Sequence, residues 1–362
     1  MRAGQAPLPE VSVLLPVRDA VAFLPESVGS IRRQTLTAWE LVAVDDGSSD
    51  GSGEWLRRAA TEDQRIRVIA QEGRGLVAAL NCAAAEAHGV FLARMDADDV
   101  ARPMRLARQV EFLKTHPAVG VVGSAVRRIG AASGIWRRPG DDAALRAELL
   151  FRTPFVHPTV MLRRELWETA AEGGYREDFR AAEDIDLWER LAPHTAFGNL
   201  DEPLLDYRVH AAQVTRVATA EMVRNCTRVL LRWLRRSGVE PSVDEATRHE
   251  ALAWLRAGDA FAMENCAGWL ARLDQANATS LFFEPEALKF ALGRQWFEFA
   301  RAHSRLGWAA WRIYRGSQFS DAGGVPGRAR LRFALLCVLR NRHRVSPGRT
   351  EGEQRVWPKA GS

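Results

Sequence analysis

Long apolar runs are missing from this chain of 362 residues. The longest, such as Phe333 to Leu339, fall far short of the roughly 18 to 20 residues that a helix needs to cross a bilayer. The first residues, MRAGQAPLPEVSVLLPV, lack the charged stretch, long apolar core and small-residue cleavage site of an export signal. Cysteine is scarce: Cys82, Cys226, Cys266 and Cys337 form no C-x-x-C pair, which argues against a zinc knot or a disulfide framework and points to a reducing compartment. Acid is absent between Ala322 and Thr350, a stretch with seven arginines (Arg328, Arg330, Arg332, Arg340, Arg342, Arg344 and Arg349). Without those seven the balance is 43 basic to 45 acidic residues. The high isoelectric point therefore belongs to one C-terminal segment and not to a basic groove, and no nucleic-acid partner is expected of the main body. What remains, 47% hydrophobic and 26% charged, is ordinary globular material long enough for two units and a tail. The expectation is a cytoplasmic protein.

Along the first 130 residues, strand and helix patterns alternate. VSVLLPV (11–17), ELVAV (40–44), Ile66 to Ala70 and VFLAR (90–94) are continuous β-rich apolar runs, as in parallel strands buried on both faces. Between them lie helical patterns at 25–34, 53–61 and LVAALNCAAAEAHG, with Gly89 read as a C-cap; 102–115 and the apolar run 119–126 follow. Such alternation predicts an α/β fold with a mostly parallel sheet. Past Arg216 only helical spacing persists, at 219–237, 244–257, 260–273 and 285–303, and its tryptophans read as core. The predicted division is 1–215, a helical domain at 216–320 and a basic tail at 321–362.

Ligands in open α/β sheets sit at the carboxyl ends of the strands, where this chain has PVRDA (16–20), VDDGSSD (44–50) and RMDADD (94–99). Each also suits turns and helix caps. MDADD is the least easily explained that way, because three carboxylates in four residues repel one another and a D-x-D spacing can share one hard cation with a ligand's phosphates. Gly73 to Ala78, GRGLVA, fits the dinucleotide pattern G-x-G-x-x-A. It follows the third strand instead of the first, and it leaves the acidic cluster unaccounted for.

Taken in order, VSVLLPVRDA, ELVAVDDGSSDGS, GLVAALNCAAAEAHGVFLARMDADDVARPMRL, FVHPTVMLRR, GGYREDFRAAEDIDLWERL and LLDYRVHAAQVT resemble the inverting family 2 glycosyltransferases of the GT-A, Rossmann-like fold. The resemblance spans roughly residues 10 to 215 and does not reach the helical extension. It implies a donor site for a nucleotide-diphosphate sugar built from Pro16, Val17, Arg18, Asp19, Asp45, Arg74 and Asp96, with Ala97 between the paired acids. It implies Asp98 and His210 as ligands of a divalent metal, Mn²⁺ or Mg²⁺, that bridges the diphosphate. Asp184, in the Glu183–Asp184 pair, would be the general base for the acceptor hydroxyl, and Gly173 and Gly174 would line the junction of donor and acceptor. Many relatives carry Asn where this chain has Arg-Asp after its first strand.

Three functional readings follow. The preferred one is a metal-dependent inverting glycosyltransferase building surface polysaccharide or another glycoconjugate, with a glycan, lipid-linked or other hydroxyl acceptor; peptide and small-molecule acceptors stay open. A sugar-nucleotide-forming nucleotidyltransferase would need a Gly-rich basic N-terminal loop, which PVRDAVAFL does not offer. A catalytically inactive nucleotide-binding homologue is disfavoured because both acidic motifs are intact. For the tail two readings stand level: a terminal helix docked on the extension, or a short segment lying in an anionic leaflet at the inner face of the cell membrane.

Overall fold

The computed structural model describes residues 8–170, 174–210 and 219–341. They divide into two compact units: residues up to 142 together with 153–213, and 143–152 together with the chain from 214 onward.

In the first unit β1 (Val11–Val17), α1 (Leu24–Arg32), β2 (Trp39–Asp46), α2 (Ser52–Glu62), β3 (Ile66–Gln71), α3 (Leu76–Ala85) and β4 (Phe91–Arg94) alternate as the periodicity predicts. Next come β5 (Val100–Ala101), α4 (Arg105–Thr115), β6 (Val119–Gly130) and β7 (Ile135–Trp136); α5 (Asp142–Glu148), which follows in sequence, belongs to the second unit from Ala143 onward. The first unit closes with β8 (Met161–Arg163), α6 (Arg164–Ala170), α7 (Glu183–Leu191) and β9 (Ala196–Val209). One sheet runs β3-β2-β1-β4-β8-β6-β9-β5, with β7 paired to β6. Every residue of β1 and β2 is buried, which is why their sequences are unbroken apolar runs and not alternating ones.

The parallel expectation holds for β3, β2, β1 and β4. Beyond β4 the sheet is mixed: β8 lies antiparallel to both β4 and β6, while β6 and β9 are parallel. After β3 the chain crosses back to lay β4 on the other side of β1. That reversal opens a crevice at the carboxyl ends of β1 and β4, the usual ligand position in such sheets.

Gly89 is not a helix cap. α3 ends at Ala85, with Glu86 in the capping position. Gly89 is instead a point of close approach: a Cβ there would come within 2.5 Å of the Ser12 nitrogen, and its N–H donates to Ser12 Oγ at 2.8 Å.

The second unit contains α8 (Ala220–Arg236), α9 (Val243–Trp254), α10 (Ala260–Ser280), α11 (Pro285–Ala302), α12 (Trp308–Gly316) and α13 (Gly327–Asn341). Their starts are written locally. Thr219 and Asp259 accept from Met222 N and Ala262 N, Ser242 and Glu245 form a capping box, and Pro285 opens α11 behind Glu284. Trp233, Trp269 and Trp296 are fully buried, as the core reading of the tryptophans requires, whereas Trp308 is exposed. Segment 143–152 belongs to this unit through bonds from Trp233 Nε1 to Arg146 O (3.1 Å) and between His249 Nε2 and Leu150 O (2.7 Å). Part of the predicted tail is thus regular helix, α13, with Phe333 and Cys337 buried; Arg342, Arg344 and Arg349 lie outside the described residues.

Candidate active site

The loops after β1 and β2 interlock. Pro16 and Val17 are buried at the end of β1, paired in register with Val44 and Asp45. Asp19, held at a positive φ of 48°, accepts from Ser49 N at 2.8 Å while its own N–H donates to Ser48 Oγ at 3.0 Å. Asp45 accepts from Ser48 N at 3.1 Å and packs so tightly on Gly53 that a Cβ there would meet its carboxylate at 2.2 Å. Its neighbour Asp46, given no role by the sequence reading, binds the glycine loop: it accepts from Arg74 N (2.7 Å), Gly75 N (2.9 Å) and Gln71 Nε2 (2.6 Å), with Arg18 Nη1 at 3.6 Å. Those two backbone N–H groups are the ones a dinucleotide's pyrophosphate would need. A carboxylate of the protein already occupies them, so GRGLVA is a structural loop. The Arg18 and Arg74 side chains remain exposed.

Asp96, Asp98 and Asp99 come together after β4, each offering a carboxylate oxygen within 4.8 Å of the others. Ala97 between them is buried. Two buried guanidiniums offset part of this charge. Arg94 Nη2 binds Asp96 Oδ1 at 2.6 Å; Arg105, fully buried, donates to Arg94 O at 2.6 Å and is pushed down to about 10, by burial first. Asp99 accepts from Arg208 N at 2.8 Å. Burial, with Asp96 and Asp98 adding to it, raises its carboxyl well above the usual range. Its second oxygen, buried, has no partner among the described residues.

The strand β9 supplies the opposite wall. Arg208 Nε donates to Asp98 O at 2.7 Å, and His210 Nε2 meets Asp98 Oδ2 at 2.8 Å with its ring stacked on Phe23. These residues fit a divalent cation. The half-buried Asp98 carboxylate meets the His210 imidazole directly, and Asp96 and Asp99 each offer a carboxylate oxygen within 4.8 Å of Asp98. That oxygen-rich set with one nitrogen suits Mn²⁺ or Mg²⁺.

The acidic pair stands at the start of α7, where first-turn acids are favoured by the free N–H groups of the helix. Glu183 is 7% exposed; burial, then the adjacent Asp184, lifts its carboxyl to about 7. Asp184 is less covered and is also raised, chiefly by burial, against the bond it accepts from Thr153 Oγ1 at 3.1 Å. Asp186 is a different case. It is fully buried and paired with Arg190 Nε at 2.9 Å, which makes it a structural acid. His157 meets Tyr175 OH at 2.8 Å and lies 3.9 Å from Glu183; burial holds it well below the ordinary imidazole range. Asn81 clamps Tyr175 from both sides, at 2.8 and 2.9 Å. At Gly174 a Cβ would press to 2.4 Å from Trp167; Gly173 lies outside the described residues.

Arg94 unites the two acidic groups. Its guanidinium shifts the ionisation of Asp96, Asp99, His157, Tyr175, Glu183 and Asp184 alike. In the sequence it is the last residue of VFLAR and the first of RMDADD. Arg94, Asp46 and Arg208 stand inside the segments that carry the family resemblance without an assigned role, and Thr153 lies outside all of them. The one available signal was arginine inside an otherwise apolar strand, a charge that seldom goes inside unless paired.

Similarity to known proteins agrees with this geometry. Residues 12–169 match the family described as glycosyl transferase family 2. EpsE of Bacillus subtilis (strain 168), a glycosyltransferase by name, is 35% identical over 205 residues, which is 55% of this chain and 73% of that protein. WbnJ of Escherichia coli, named as an O-antigen biosynthesis glycosyltransferase, is 29% identical over 216 residues, 58% of this chain and 84% of that one. Among solved structures, S. aureus TarS residues 1–349 with UDP shares the fold at a TM-score of 0.50 and 16% identity, covering 92% of this chain and 91% of that one. The sheet order, the acidic cluster at the switch point and these likenesses lead to one conclusion: the chain belongs to glycosyltransferase family 2 and has the GT-A fold.

Proposed function

We propose that this protein is a metal-dependent, inverting glycosyltransferase that moves a sugar from a nucleoside-diphosphate donor to an acceptor hydroxyl, at the membrane's inner face, in the synthesis of a surface polysaccharide. The contact of Asp98 with His210 beside Asp96, which Arg94 links to the Glu183–Asp184 pair, carries the reading. The name of WbnJ supports the polysaccharide assignment.

Asp98 and His210 would hold the metal, which when bound supplies positive charge to the departing diphosphate. The ends of β1 and β2 and the loop after β1, from Pro16 to Asp19 with Asp45, and Arg74 in the loop after β3, bind the nucleoside. Asp96, fixed by Arg94, lies beside them for the ribose. Asp184 accepts the acceptor's hydroxyl proton as that oxygen bonds to the anomeric carbon. The bond from that carbon to the diphosphate oxygen breaks with its electron pair going to the leaving nucleoside diphosphate, and a single displacement inverts the centre. Raising a carboxyl towards neutrality makes it a better base, and such groups contribute about 10²- to 10⁴-fold.

Two variants separate binding from chemistry. Asp98→Ala should lose metal-dependent binding of nucleoside diphosphate in calorimetric titration with Mn²⁺, along with turnover. Asp184→Asn should keep that binding and lose about 10²-fold or more in transfer. Parental transfer by Asp184→Asn would move the base to Glu183. Normal metal and nucleotide binding by Asp98→Ala would remove the metal assignment. Release of pyrophosphate in place of nucleoside diphosphate would favour a nucleotidyltransferase.

A further inference from the structure

Helix α13 is docked by one side only. Phe333 and Cys337, one turn apart, are buried, with Phe333 against Phe297, Trp311 and Tyr314 at ring-centroid separations of 6.0, 5.6 and 5.5 Å. Arg330 binds Asp321, and Arg340 donates to Ser304 Oγ at 3.1 Å. Opposite them runs a second apolar stripe: Leu331 is 62% exposed, Leu335 53% and Leu339 55%, with Val338 alongside. Their spacing of four, three and one residues puts them on one helical face. Arg328 and Arg332 fall on that same side by the same spacing, and both are exposed. An exposed apolar strip on a helix that already buries another face is not explained by folding.

We propose that this outer face of α13 is an in-plane membrane anchor: Leu331, Leu335, Val338 and Leu339 enter the acyl boundary of an anionic leaflet while the arginines meet its phosphates. Among the described residues no helix is long and apolar enough to cross a membrane, so α13 would lie in the interface. Charge decides the occupant. The stretch from Ala322 to Thr350 holds seven arginines and no acid. A second copy of the chain would bring like charge against like, whereas phosphatidylglycerol headgroups supply the counter-charge. The proposal deepens the membrane-facing part of the function above, yet vesicle binding is read without donor sugar. An inactive protein that binds vesicles, or an active one that does not, therefore tells the two ideas apart.

The test is co-sedimentation of the full chain with vesicles of phosphatidylcholine alone, or of phosphatidylcholine and phosphatidylglycerol in equal parts. Binding to the anionic vesicles that weakens with added salt is expected, with little binding to the neutral ones. Leu335→Asp with Leu339→Asp should lower that binding by at least about tenfold, since both side chains are removed from the lipid. The melting temperature should change little, because both residues are more than half exposed. Arg328→Ala and Arg332→Ala should each weaken anionic binding by about fivefold. Equal binding of parent and double-aspartate variant, or no binding by the parent, overturns the proposal. So does a dimer in sedimentation velocity that the double-aspartate variant disperses, which would make the stripe a protein interface.

Discussion

Glu183 shows how one residue's surroundings set both rate and stability. Its carboxyl is lifted from an ordinary 4.5 to about 7 by burial and by Asp184. A raised carboxyl is favoured in its protonated form by the folded state. Folding therefore carries no penalty from this group below about pH 4.5, and loses stability as pH rises through the interval up to about 7. Replacing it by glutamine removes the charge, so Glu183→Gln should melt level with the parent near pH 4.5 and several degrees higher at about pH 8. Parallel melting curves at both values would mean that Glu183 is ionised without penalty, contrary to its burial. The proposed base, Asp184, is raised as well, chiefly by burial. The acid limb of the rate profile should therefore lie above the pH at which an ordinary aspartate titrates; a limb at the ordinary aspartate position would mean that burial does not hold Asp184 protonated. The motif E-D was plain in the sequence; that both its carboxyls are raised, Glu183 to about 7, was not. That property comes from burial and, at Glu183, from the neighbouring acid, against which Arg94 and, at Asp184, Thr153 pull the carboxyls back down. The fold assembles these surroundings from residues distant in sequence.

At the scale of elements, the sequence was legible where local chemistry sets the structure. Capping residues and Pro285 mark the starts of the helical unit, and the apolar runs mark β1 to β4. It was less legible where long-range pairing decides, as with β8: three residues, Met161 to Arg163, are inserted antiparallel between β4 and β6, and no period can be read from so short a segment. Gly89 misled because a glycine after a helical pattern looks like a cap, while its actual constraint is the backbone of β1. A cap that sequence alone would not reveal lies at the end of α10, where Leu281 is left-handed at φ 49° and 68% exposed. A side chain in that conformation costs about 1 kcal/mol or more, and this one is little packed in return. Leu281→Gly should therefore stabilise the protein by about 0.5 to 1 kcal/mol once the greater freedom of glycine in the unfolded chain is set against the relief. Denaturant titration at constant slope reads this directly, and a loss of stability would show that Leu281 packs better than its exposure indicates.

Across the whole molecule, site and tail fall in different units with different cores. The first is closed around β1, β2 and β4, where Val11, Leu15, Leu41 and Ala93 are inaccessible; the second is built on Trp233, Trp269 and Trp296. A ligand that binds only the folded form stabilises what it binds, by about 2.7 kcal/mol at a hundred times its dissociation constant. All the proposed donor and metal residues lie in the first unit. Scanning calorimetry should accordingly resolve two transitions, of which Mn²⁺ with the nucleoside diphosphate of the donor raises one. Trp296→Ala, at a cost of about 3 to 5 kcal/mol for so large a buried ring, should lower the other. Asp98→Ala should abolish the ligand's shift without moving the transition that Trp296 governs. A single transition that responds to both changes would mean that the two cores unfold as one cooperative body, and that stabilising the sugar-transfer site also stabilises the helix proposed to hold the membrane.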